Sequence, residues 1–286
     1  MEDYKAYFKG KTAVVTGGAS GIGLALGEEM LECGAAGFAL ADFNRENLKK
    51  HEARLNALYP GRVKGIYCDV TKEDMVADMV AQANMFFNGK LDILINNAGA
   101  GFLGRFADAG DFDPETAKLR GLPVQTNEDW TKGFALNFYG SLFGCRAAIP
   151  LMLKQGSGQI VNVISGIAFC PMPYQAIYSA TKAALNSFTL ALRAEFREHN
   201  IRFNSATPGT TATHIWDGAT IPDFAQTPQQ SAQRILKGVA NNERLILGDD
   251  NDLDSAKHCF DPAAADGYDL YLKEVARKRK AGEGLL

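Results

Sequence analysis

Short runs of β-forming apolar residues alternate with longer helical patterns along most of this chain. The apolar runs are TAVVTG (12–17), FALAD (38–42), VKGIYCDV (63–70), DILINNAG (92–99), QIVNVIS (159–165) and IRFNSATPG (201–209). Helical patterns follow the first five runs, over residues 21–33, 45–58, 72–87, 128–154 and 175–199. Parallel strands need a long crossover, usually a helix, between them, so this order predicts βαβ units. We expect one doubly wound α/β domain over residues 1–286, with helices on both faces of a parallel sheet.

Two stretches interrupt this alternation, at residues 100–126 and 210–227, and both are rich in Gly, Pro, Asp and Thr. Loops of that length in a compact domain are usually functional lids or disordered segments. A tail at 249–286 follows the predicted sheet and contains the helical pattern AADGYDLYLKEVARKRK. We interpret the tail as an interface or a pocket cover, and no residue in it is expected to carry chemistry.

Composition and charge exclude several kinds of partner. The net charge of −3 provides no basic field for nucleic acid or for an anionic membrane surface. The basic run at 277–280 is explained by a solvated helix C-terminus, where cations are favourable. The most apolar segment, 134–152, contains Asn137, Arg146 and Pro150, which favours a buried helix over a membrane span. We therefore expect neither a nucleic-acid partner nor a membrane partner.

The cysteines and the N-terminus indicate a cytoplasmic protein. The sequence MEDYKAYFKGK is charged and lacks the apolar run of a secretory signal. The cysteines are odd in number and show no CxxC spacing, which is typical of reduced thiols: Cys33, Cys68, Cys145, Cys170 and Cys259. The four histidines have no metal-ligand spacing, so no metal site is expected.

A glycine-rich segment, TGGASGIG, follows the first predicted strand directly. Gly17, Gly21 and Gly23 have the spacing G-x-x-x-G-x-G and lie between that strand and a helix. Glycines let the backbone approach a pyrophosphate, and the free N–H groups of a helix N-terminus attract its charge. The segment therefore favours dinucleotide binding, and a plain tight turn is the alternative interpretation.

Asp42 ends the second predicted strand. Its distance beyond the glycines is about that at which an acidic side chain accepts hydrogen bonds from an adenosine ribose. A carboxylate there also repels a 2′-phosphate, which favours NAD over NADP. An isolated Asp at a strand end is more often a cap or turn residue, so this interpretation depends on the preceding glycine segment.

Tyr178 and Lys182 are four residues apart at the start of the predicted helix 175–199. Side chains at that spacing share one helix face. A free phenol has a pKa of about 10, too high for efficient general base catalysis near neutral pH, and a neighbouring ammonium favours the phenolate. The pair fits a tyrosine acid/base whose pKa Lys182 lowers; the alternative is a surface helix on which both side chains merely pack.

Four motifs, one of them containing Tyr178 and Lys182, occur in this order along the chain: NNAG (96–99), NVIS ending at Ser165, YSATK (178–182) and TPGTTAT (207–213). By these motifs, and by Asn137 in NFYG, the sequence resembles the short-chain dehydrogenase/reductase family over roughly residues 10–250. The resemblance implies a Rossmann-type fold and an NAD(P)-dependent oxidoreductase. Such an enzyme transfers a hydride between a secondary alcohol or ketone and the nicotinamide.

The resemblance also assigns catalytic roles. Tyr178 is the general acid/base, and Ser165 holds the substrate oxygen by a hydrogen bond. Lys182 lowers the pKa of Tyr178 and holds the nicotinamide ribose. Asn137 positions a water that connects Lys182 to solvent as a proton relay.

The expected cofactor contacts extend from the glycine segment to the last predicted strand. By resemblance, Asp69 meets the adenine and Thr213 lies near the carboxamide; a role for Asp69 as cap of a helix beginning near Thr71 is an equal alternative. The full expected set is Gly17, Ser20, Gly21, Ile22, Gly23, Asp42, Asp69, Val70, Asn96, Ala98, Gly99, Tyr178, Lys182, Pro208, Gly209, Thr211 and Thr213.

The chain departs from the family pattern between Gly99 and Asn137, where it is longer than usual. The extra length is expected to border the substrate pocket or a subunit interface. After Thr213, the sequence HIWDGATIPDF stands where the family carries a substrate lid. Its apolar residues, Trp216, Ile221 and Phe224, favour an apolar lining and a hydrophobic substrate.

These motifs together predict an NAD-dependent oxidoreductase acting on an alcohol or ketone. An NADPH-dependent carbonyl reductase is the alternative enzyme, and a noncatalytic dinucleotide-binding sensor or scaffold is the alternative of another class. The complete Asn, Ser, Tyr and Lys set argues against a scaffold. Apolar faces on the helices at 134–152 and 175–199, which family members commonly pair, predict a homodimer or homotetramer.

Overall fold

All six predicted strands form in the computed structural model, which describes residues 4–110, 122–213 and 221–281. The strands are β1 (Thr12–Thr16), β2 (Gly37–Asp42), β3 (Val63–Tyr67), β4 (Ile93–Asn96), β5 (Gly158–Val163), β6 (Ile201–Ala206) and a short β7 (Leu245–Ile246) that the sequence did not predict.

The strands form one parallel sheet in the order β3-β2-β1-β4-β5-β6-β7. Val14 of β1, for example, pairs with Ala39 of β2 on one side and with Leu94 of β4 on the other. The chain moves outward in one direction through β2 and β3 and then in the opposite direction from β4. This reversal is the point where open α/β sheets bind ligands, beyond the carboxyl ends of the strands. The doubly wound parallel fold is confirmed.

The helices occupy both faces of the sheet. They are α1 (Tyr4–Phe8), α2 (Gly21–Glu32), α3 (Arg45–Leu58), α4 (Glu73–Phe86), α5 (Asn127–Phe134), α6 (Gly140–Gln155), α7 (Ala176–Glu195), α8 (Pro228–Ala240), α9 (Asp250–His258) and α10 (Ala265–Lys280). The single helix predicted over 128–154 is instead α5 and α6 joined by a π-helical segment, Ala135–Tyr139. Such segments shift the side-chain register and are frequent at functional sites.

Two buried apolar clusters cover the sheet, one on each face. On the first face, α2 and α8 contribute side chains such as Leu26, Met30 and Leu236. On the second, α4 and α6 contribute side chains such as Met79 and Met152. Because both faces are covered, the central strands are buried on both sides and largely apolar, which explains the apolar runs in the sequence.

The helices of the described ranges include none that is long and apolar enough to cross a membrane. The apolar segment 134–152 lies mostly in α6, where Gly144, Cys145, Ala148 and Met152 are buried against the sheet. The interpretation of this segment as a buried helix therefore holds for one of its faces.

The tail beyond residue 249 forms α9 and α10, which pack near the carboxyl ends of the strands. Asp249 caps α9 by accepting a hydrogen bond from Asp252 N at 2.8 Å, and its other oxygen accepts one from Thr210 N at 2.7 Å. Ala256 and Cys259 of this region pack against a third, smaller apolar cluster around Ile164. The tail thus covers the same end of the sheet that carries the candidate site.

Candidate active site

A cavity of about 560 Å³ opens at the carboxyl ends of the strands, beside the reversal between β1 and β4. This volume lies within the usual range for small-molecule sites. The expected site residues that line it are Gly17, Ser20, Gly21, Ile22, Asp42, Asp69, Val70, Ala98, Gly99, Tyr178, Lys182, Pro208 and Thr213. The expected residues outside its wall are Gly23, Asn96, Asn137, Ser165, Gly209 and Thr211.

The glycine segment forms a cradle at one end of the cavity. Gly17 and Gly21 have positive φ angles, 63° and 49°, which a side chain would strain. Ser20 precedes α2, and its side chain makes no capping bond within the described part of the chain. The first N–H groups of α2 therefore remain suited to an anion such as a pyrophosphate.

Gly23 has a packing role. A Cβ at this position would lie 2.2 Å from the carbonyl oxygen of Gly17, so only glycine lets α2 approach the preceding turn. Gly23 therefore supports the cradle, and its expected contact with the cofactor stays a prediction.

Asp42 connects the glycine cradle to the end of β2. Its Oδ2 accepts a hydrogen bond from Ala19 N at 3.1 Å, and its Oδ1 accepts one from Asn44 N at 2.9 Å. A carboxylate has about four acceptor positions, so both oxygens keep acceptor capacity toward the cavity. Nearby, the guanidinium of Arg45 stacks on the Tyr67 ring at 3.5 Å from its centroid.

Asp69 lines the cavity and also closes a turn. Its Oδ1 accepts hydrogen bonds from the backbone N–H of Thr71, at 3.0 Å, and from the Thr71 hydroxyl, at 2.8 Å. The helix α4 begins only at Glu73, with Lys72 as its cap residue. The alternative of Asp69 as the helix cap is therefore wrong, and Asp69 holds the turn that presents Val70 to the cavity.

Asn96 faces the protein interior. Its side chain donates to Asn162 Oδ1 at 2.8 Å and to the carbonyl of Ser141 at 3.3 Å, and the residue is 2% exposed. Asn97 lines the cavity instead, with its side chain donating to the Thr16 carbonyl at 3.0 Å. Successive side chains at a strand end point to opposite sides, so Asn97 faces the cavity and Asn96 does not, and the expected cofactor contact of Asn96 stays a prediction.

Residues of the TPGTTAT motif (207–213) differ in whether they line the cavity. Pro208 and Thr213 line the cavity, and Thr213 lies across from Gly21, where an added Cβ would be 3.5 Å from Thr213 Cγ2. The Thr211 hydroxyl instead donates to the carbonyls of Pro208 and Gly209, at 3.0 and 3.2 Å. Thr211 and Gly209 therefore shape the turn and do not form the wall.

The expected lid is described only at its two ends. Ala212 N donates to the Gln226 carbonyl and Gln226 N to the Thr210 carbonyl, both at 2.9 Å, which joins the ends. Ile221 is 43% exposed and does not line the cavity, so its expected place in an apolar lining is wrong. The same holds for Phe224, at 65% exposure. Trp216 lies outside the described residues, as does the part of the 100–126 stretch at 111–121.

Tyr178 lies in the first turn of α7 and makes a side-chain hydrogen bond with Ser165, which follows β5. Ser165 also accepts a weak bond from Ile167 N at 3.4 Å. Burial raises the pKa of Tyr178, the Ser165 hydrogen bond lowers it, and the nearby carboxylate of Asp252 raises it. The structure thus brings the expected phenol and hydroxyl together at the cavity wall.

Lys182 is almost fully buried one turn beyond Tyr178. Its Nζ donates to the carbonyl of Val163 at 2.9 Å and lies 5.8 Å from the centroid of the Tyr178 ring. Burial lowers the pKa of Lys182 to about 8. Among the residues of this chain, burial has the largest effect on the pKa of Tyr178 and raises it, so the lowering by Lys182 together with a positively charged nicotinamide stays a prediction.

Asn137 lies in the π-helical segment and is completely buried. Its Oδ1 accepts from Ala100 N, and its Nδ2 donates to the Ala100 carbonyl, both at 3.0 Å. The Nδ2 also lies 3.3 Å from the Thr181 hydroxyl. A Cβ on Gly99 would be 2.9 Å from Asn137 Oδ1 and 3.2 Å from Lys182 Nζ, so these two side chains converge behind Gly99.

Asp252, which α9 brings to this site, was not indicated by any sequence motif. Its carboxylate packs against Gly166, the residue after Ser165. Burial and the neighbouring Asp249 raise the pKa of Asp252 to about 6, although hydrogen bonds from Thr207 and Gly209 oppose the shift. Its Oδ2 has no hydrogen-bond partner among the residues described.

The arrangement suits a nicotinamide dinucleotide. The cradle and α2 offer backbone N–H groups for a pyrophosphate, and Asp42 offers acceptors for a ribose. Tyr178 and Lys182 stand at the opposite end of the same cavity. No group of three His, Cys, Asp or Glu side chains that could hold a metal ion occurs within the ranges 4–110, 122–213 and 221–281.

Comparison with known proteins leads to one family. The family model for short chain dehydrogenases matches residues 11–221. A D-beta-hydroxybutyrate dehydrogenase of Rhizobium meliloti is 32% identical over 242 residues, which are 83% of each chain.

Two solved structures share the fold. A short chain dehydrogenase from Mycobacterium smegmatis has a TM-score of 0.70 at 25% identity and covers 85% of this chain and 93% of its own. A 3-ketoacyl-(acyl-carrier-protein) reductase from Brucella melitensis, complexed with NADH, has a TM-score of 0.68 at 25% identity, covering 84% and 98%. The chain belongs to the short-chain dehydrogenase family of oxidoreductases, which act on CH–OH groups with a nicotinamide nucleotide.

Proposed function

We propose that this protein is an NAD-dependent oxidoreductase that transfers a hydride between a secondary alcohol or ketone and the nicotinamide, with Tyr178 as general acid/base. One observation carries the proposal. Tyr178 is hydrogen-bonded to Ser165 and lies in the wall of the cavity that Lys182 and the glycine cradle share.

In the direction of oxidation, Tyr178 takes the proton of the substrate hydroxyl, and Ser165 holds the same oxygen by a hydrogen bond. A bound NAD supplies the hydride acceptor and a positive charge that favours the phenolate. Lys182 stays largely protonated near neutral pH, because its pKa is about 8, and its ammonium is available to the nicotinamide ribose. In the direction of reduction, Tyr178 returns the proton to the carbonyl oxygen.

Two features support NAD over NADP. The Asp42 carboxylate lines the cavity where a ribose hydroxyl would bind, and its charge repels a 2′-phosphate. Arg45, a cation three residues beyond Asp42, is stacked on the Tyr67 ring. This stacking favours keeping the guanidinium away from a phosphate at Asp42.

An apolar substrate portion fits the wall beside Tyr178. Leu136, Val163 and Ile164 line that part of the cavity. The relative from Rhizobium meliloti makes a small hydroxy acid a second class to test. The described cavity wall contains no arginine that would bind a carboxylate, which favours the apolar class.

We also propose a homodimer or homotetramer formed through α6 and α7. Tyr139 and Leu153 are 45% and 42% exposed on or beside α6, and Tyr139 stacks with Phe143 at 6.1 Å between ring centroids. Light scattering at micromolar concentration that shows only a monomer would contradict this assembly.

The function is tested by following the absorbance of the reduced cofactor. Purified protein is supplied with NAD or NADP and with steroid, aromatic, aliphatic, sugar and hydroxy-acid alcohols. We expect turnover with at least one apolar secondary alcohol, with NAD preferred, and its loss in Tyr178→Phe. Binding of NAD without Tyr178-dependent turnover of any alcohol or the matching ketone would instead support a sensor or scaffold.

A further inference from the structure

A strained turn precedes the helix that carries Tyr178. Tyr174 has a φ of 62°, which is uncommon for a residue with a side chain and strains the backbone. The helix α7 begins two residues later, and Gln175 at its cap position makes no side-chain capping bond within the described part of the chain. Such a turn persists only where its surroundings fix it. Its geometry sets where α7 begins and therefore where Tyr178, in the first turn of the helix, is placed.

Arg279 of α10 holds this turn from outside. Its guanidinium donates one hydrogen bond to the Pro173 carbonyl and another, at 3.0 Å, to Gln175 Oε1. Arg279 is 8% exposed and Gln175 is 4% exposed, so both bonds are sheltered from water. Bonds to a charged donor in such a place are stronger than ordinary ones, and loss of either partner is costly.

Arg279 remains a cation at neutral pH. Burial lowers the pKa of its guanidinium to about 10, while the nearby Tyr271 acts in the opposite direction. Burying a charge is unfavourable unless its partners compensate. The one buried side chain of α10 is thus a charged residue directed at the turn before Tyr178.

The extra segment after Gly99 meets the same turn. Gly104 N donates to the Tyr174 carbonyl at 2.8 Å. The neighbouring Arg105 forms an isolated β-bridge with Val124, which joins the two described ends of the segment. The segment that departs from the family pattern and the C-terminal tail therefore converge on three consecutive residues, 173–175.

We propose that Arg279 is a positioning residue of this active site, which fixes the start of α7 through Pro173 and Gln175 and thereby holds the Tyr178 hydroxyl opposite Ser165. The inference rests on the proposed function, in which Tyr178 exchanges the substrate proton. A mere anchor for α10 would stabilise the tail without changing the chemistry of Tyr178.

The test compares Arg279→Ala and Arg279→Lys with Arg277→Ala in the full chain. Arg277 is a matched control, because it lies on the same helix, is exposed and pairs with Glu274 at 2.9 Å. The readouts are kcat, the KM for NAD, the pH dependence of kcat/KM for alcohol oxidation, and hydrogen exchange of residues 172–182.

In Arg279→Ala we expect kcat to fall by about 10- to 100-fold with little change in the KM for NAD, since small displacements of an acid/base are costly. The rising limb of kcat/KM should move to higher pH, because a displaced Tyr178 loses the Ser165 bond that favours its phenolate. The other charged groups at Tyr178, Asp252 from α9 and Lys182 from α7, are unchanged in this variant. Arg279→Lys should be intermediate, since an ammonium lacks the planar fork.

If folded Arg279→Ala keeps the kcat of wild type and the same pH dependence of kcat/KM, the inference is overturned while the proposed function stays intact. The inference is also overturned if hydrogen exchange of residues 172–182 is no faster in Arg279→Ala than in Arg277→Ala. A wild-type protein without Tyr178-dependent turnover would overturn the proposed function, and the inference with it.

Discussion

The carboxylate of Asp252 packs directly on Gly166, where an added Cβ would lie 1.9 Å from Asp252 Oδ1. Only glycine after Ser165 permits this approach. A residue of the C-terminal tail therefore places a negative charge beside the residues proposed to handle the substrate proton.

Asp252→Asn should move the rising limb of kcat/KM for alcohol oxidation to lower pH. The Asp252 carboxylate raises the pKa of Tyr178, and the neutral amide removes that opposition to the phenolate. The measurement is a pH profile with saturating NAD. Asp254→Asn, an exposed residue of the same helix that pairs with His258, is the control and should leave the limb in place. A shift to higher pH in Asp252→Asn would contradict the assigned electrostatics.

The same carboxylate links stability to pH. The pKa of Asp252 is raised from 3.8 to about 6, so between these values the folded chain binds more protons than the unfolded chain. Its contribution to stability is therefore fully present below about pH 4 and is lost as the pH rises through 6. Urea unfolding at several pH values should show that Asp252→Asn lacks this decline relative to wild type. If the free energy of unfolding depends on pH equally in wild type and in Asp252→Asn, the proposed link between Asp252 and stability is refuted.

Asp42→Ala should narrow the preference for NAD over NADP. The wild-type ratio of kcat/KM values is expected to be at least about tenfold, which corresponds to about 1.4 kcal/mol. The alanine variant loses the charge that repels a 2′-phosphate, although the lost bond to Ala19 weakens the binding of both cofactors. Asp69→Ala is the control, since that residue lines the cavity without facing the expected 2′ position. A wild-type ratio at or below one would overturn the cofactor assignment.

The fold and most of the site were predictable because their signals are local. Alternating strand and helix patterns predicted a parallel sheet with helices on both faces, although not the order of its strands. Tyr178 and Lys182 share a face by helical spacing alone. The sequence did not indicate that Asn97 and not Asn96 has its side chain at the cavity, since at a strand end one step turns the side chain from the cavity into the core. The sequence identifies Lys182 as a neighbour of Tyr178, but it does not reveal the burial that raises the pKa of Tyr178.

No local sequence pattern indicated the contacts that the tail at 249–286 makes with the site. Asp252 and Arg279 reach the site only through the packing of α9 and α10. Asp252 belongs to no motif that the sequence displays. Arg279 belongs to the basic run at 277–280, and its interpretation as part of a solvated helix end is wrong, because the structure buries it. The π-helical turn at Asn137 was equally hidden, because a regular helical pattern continues through it in the sequence. Long-range packing and local backbone irregularities therefore account for the missed residues.

Asn137→Ala should destabilise the fold as well as the site. The substitution leaves the N–H and carbonyl of Ala100 without their buried partners, and each such group costs about 1–3 kcal/mol. We expect a loss of at least about 2 kcal/mol in urea unfolding. Asn127→Ala, at the exposed start of α5, provides a comparison that should lose far less. A variant at Asn137 as stable as wild type would show that the buried bonds to Ala100 contribute little.

Tyr178→Phe gives the most direct test of the central claim, with kcat and the dissociation constant for NAD measured on the same preparation. The ring and its packing remain, and only the ionisable oxygen is lost. Turnover should fall by at least about 10²–10⁴-fold, the usual contribution of general acid–base catalysis, while NAD still binds. A Tyr178→Phe protein that binds NAD and keeps more than about a tenth of wild-type turnover would contradict the assignment of Tyr178 as the acid/base.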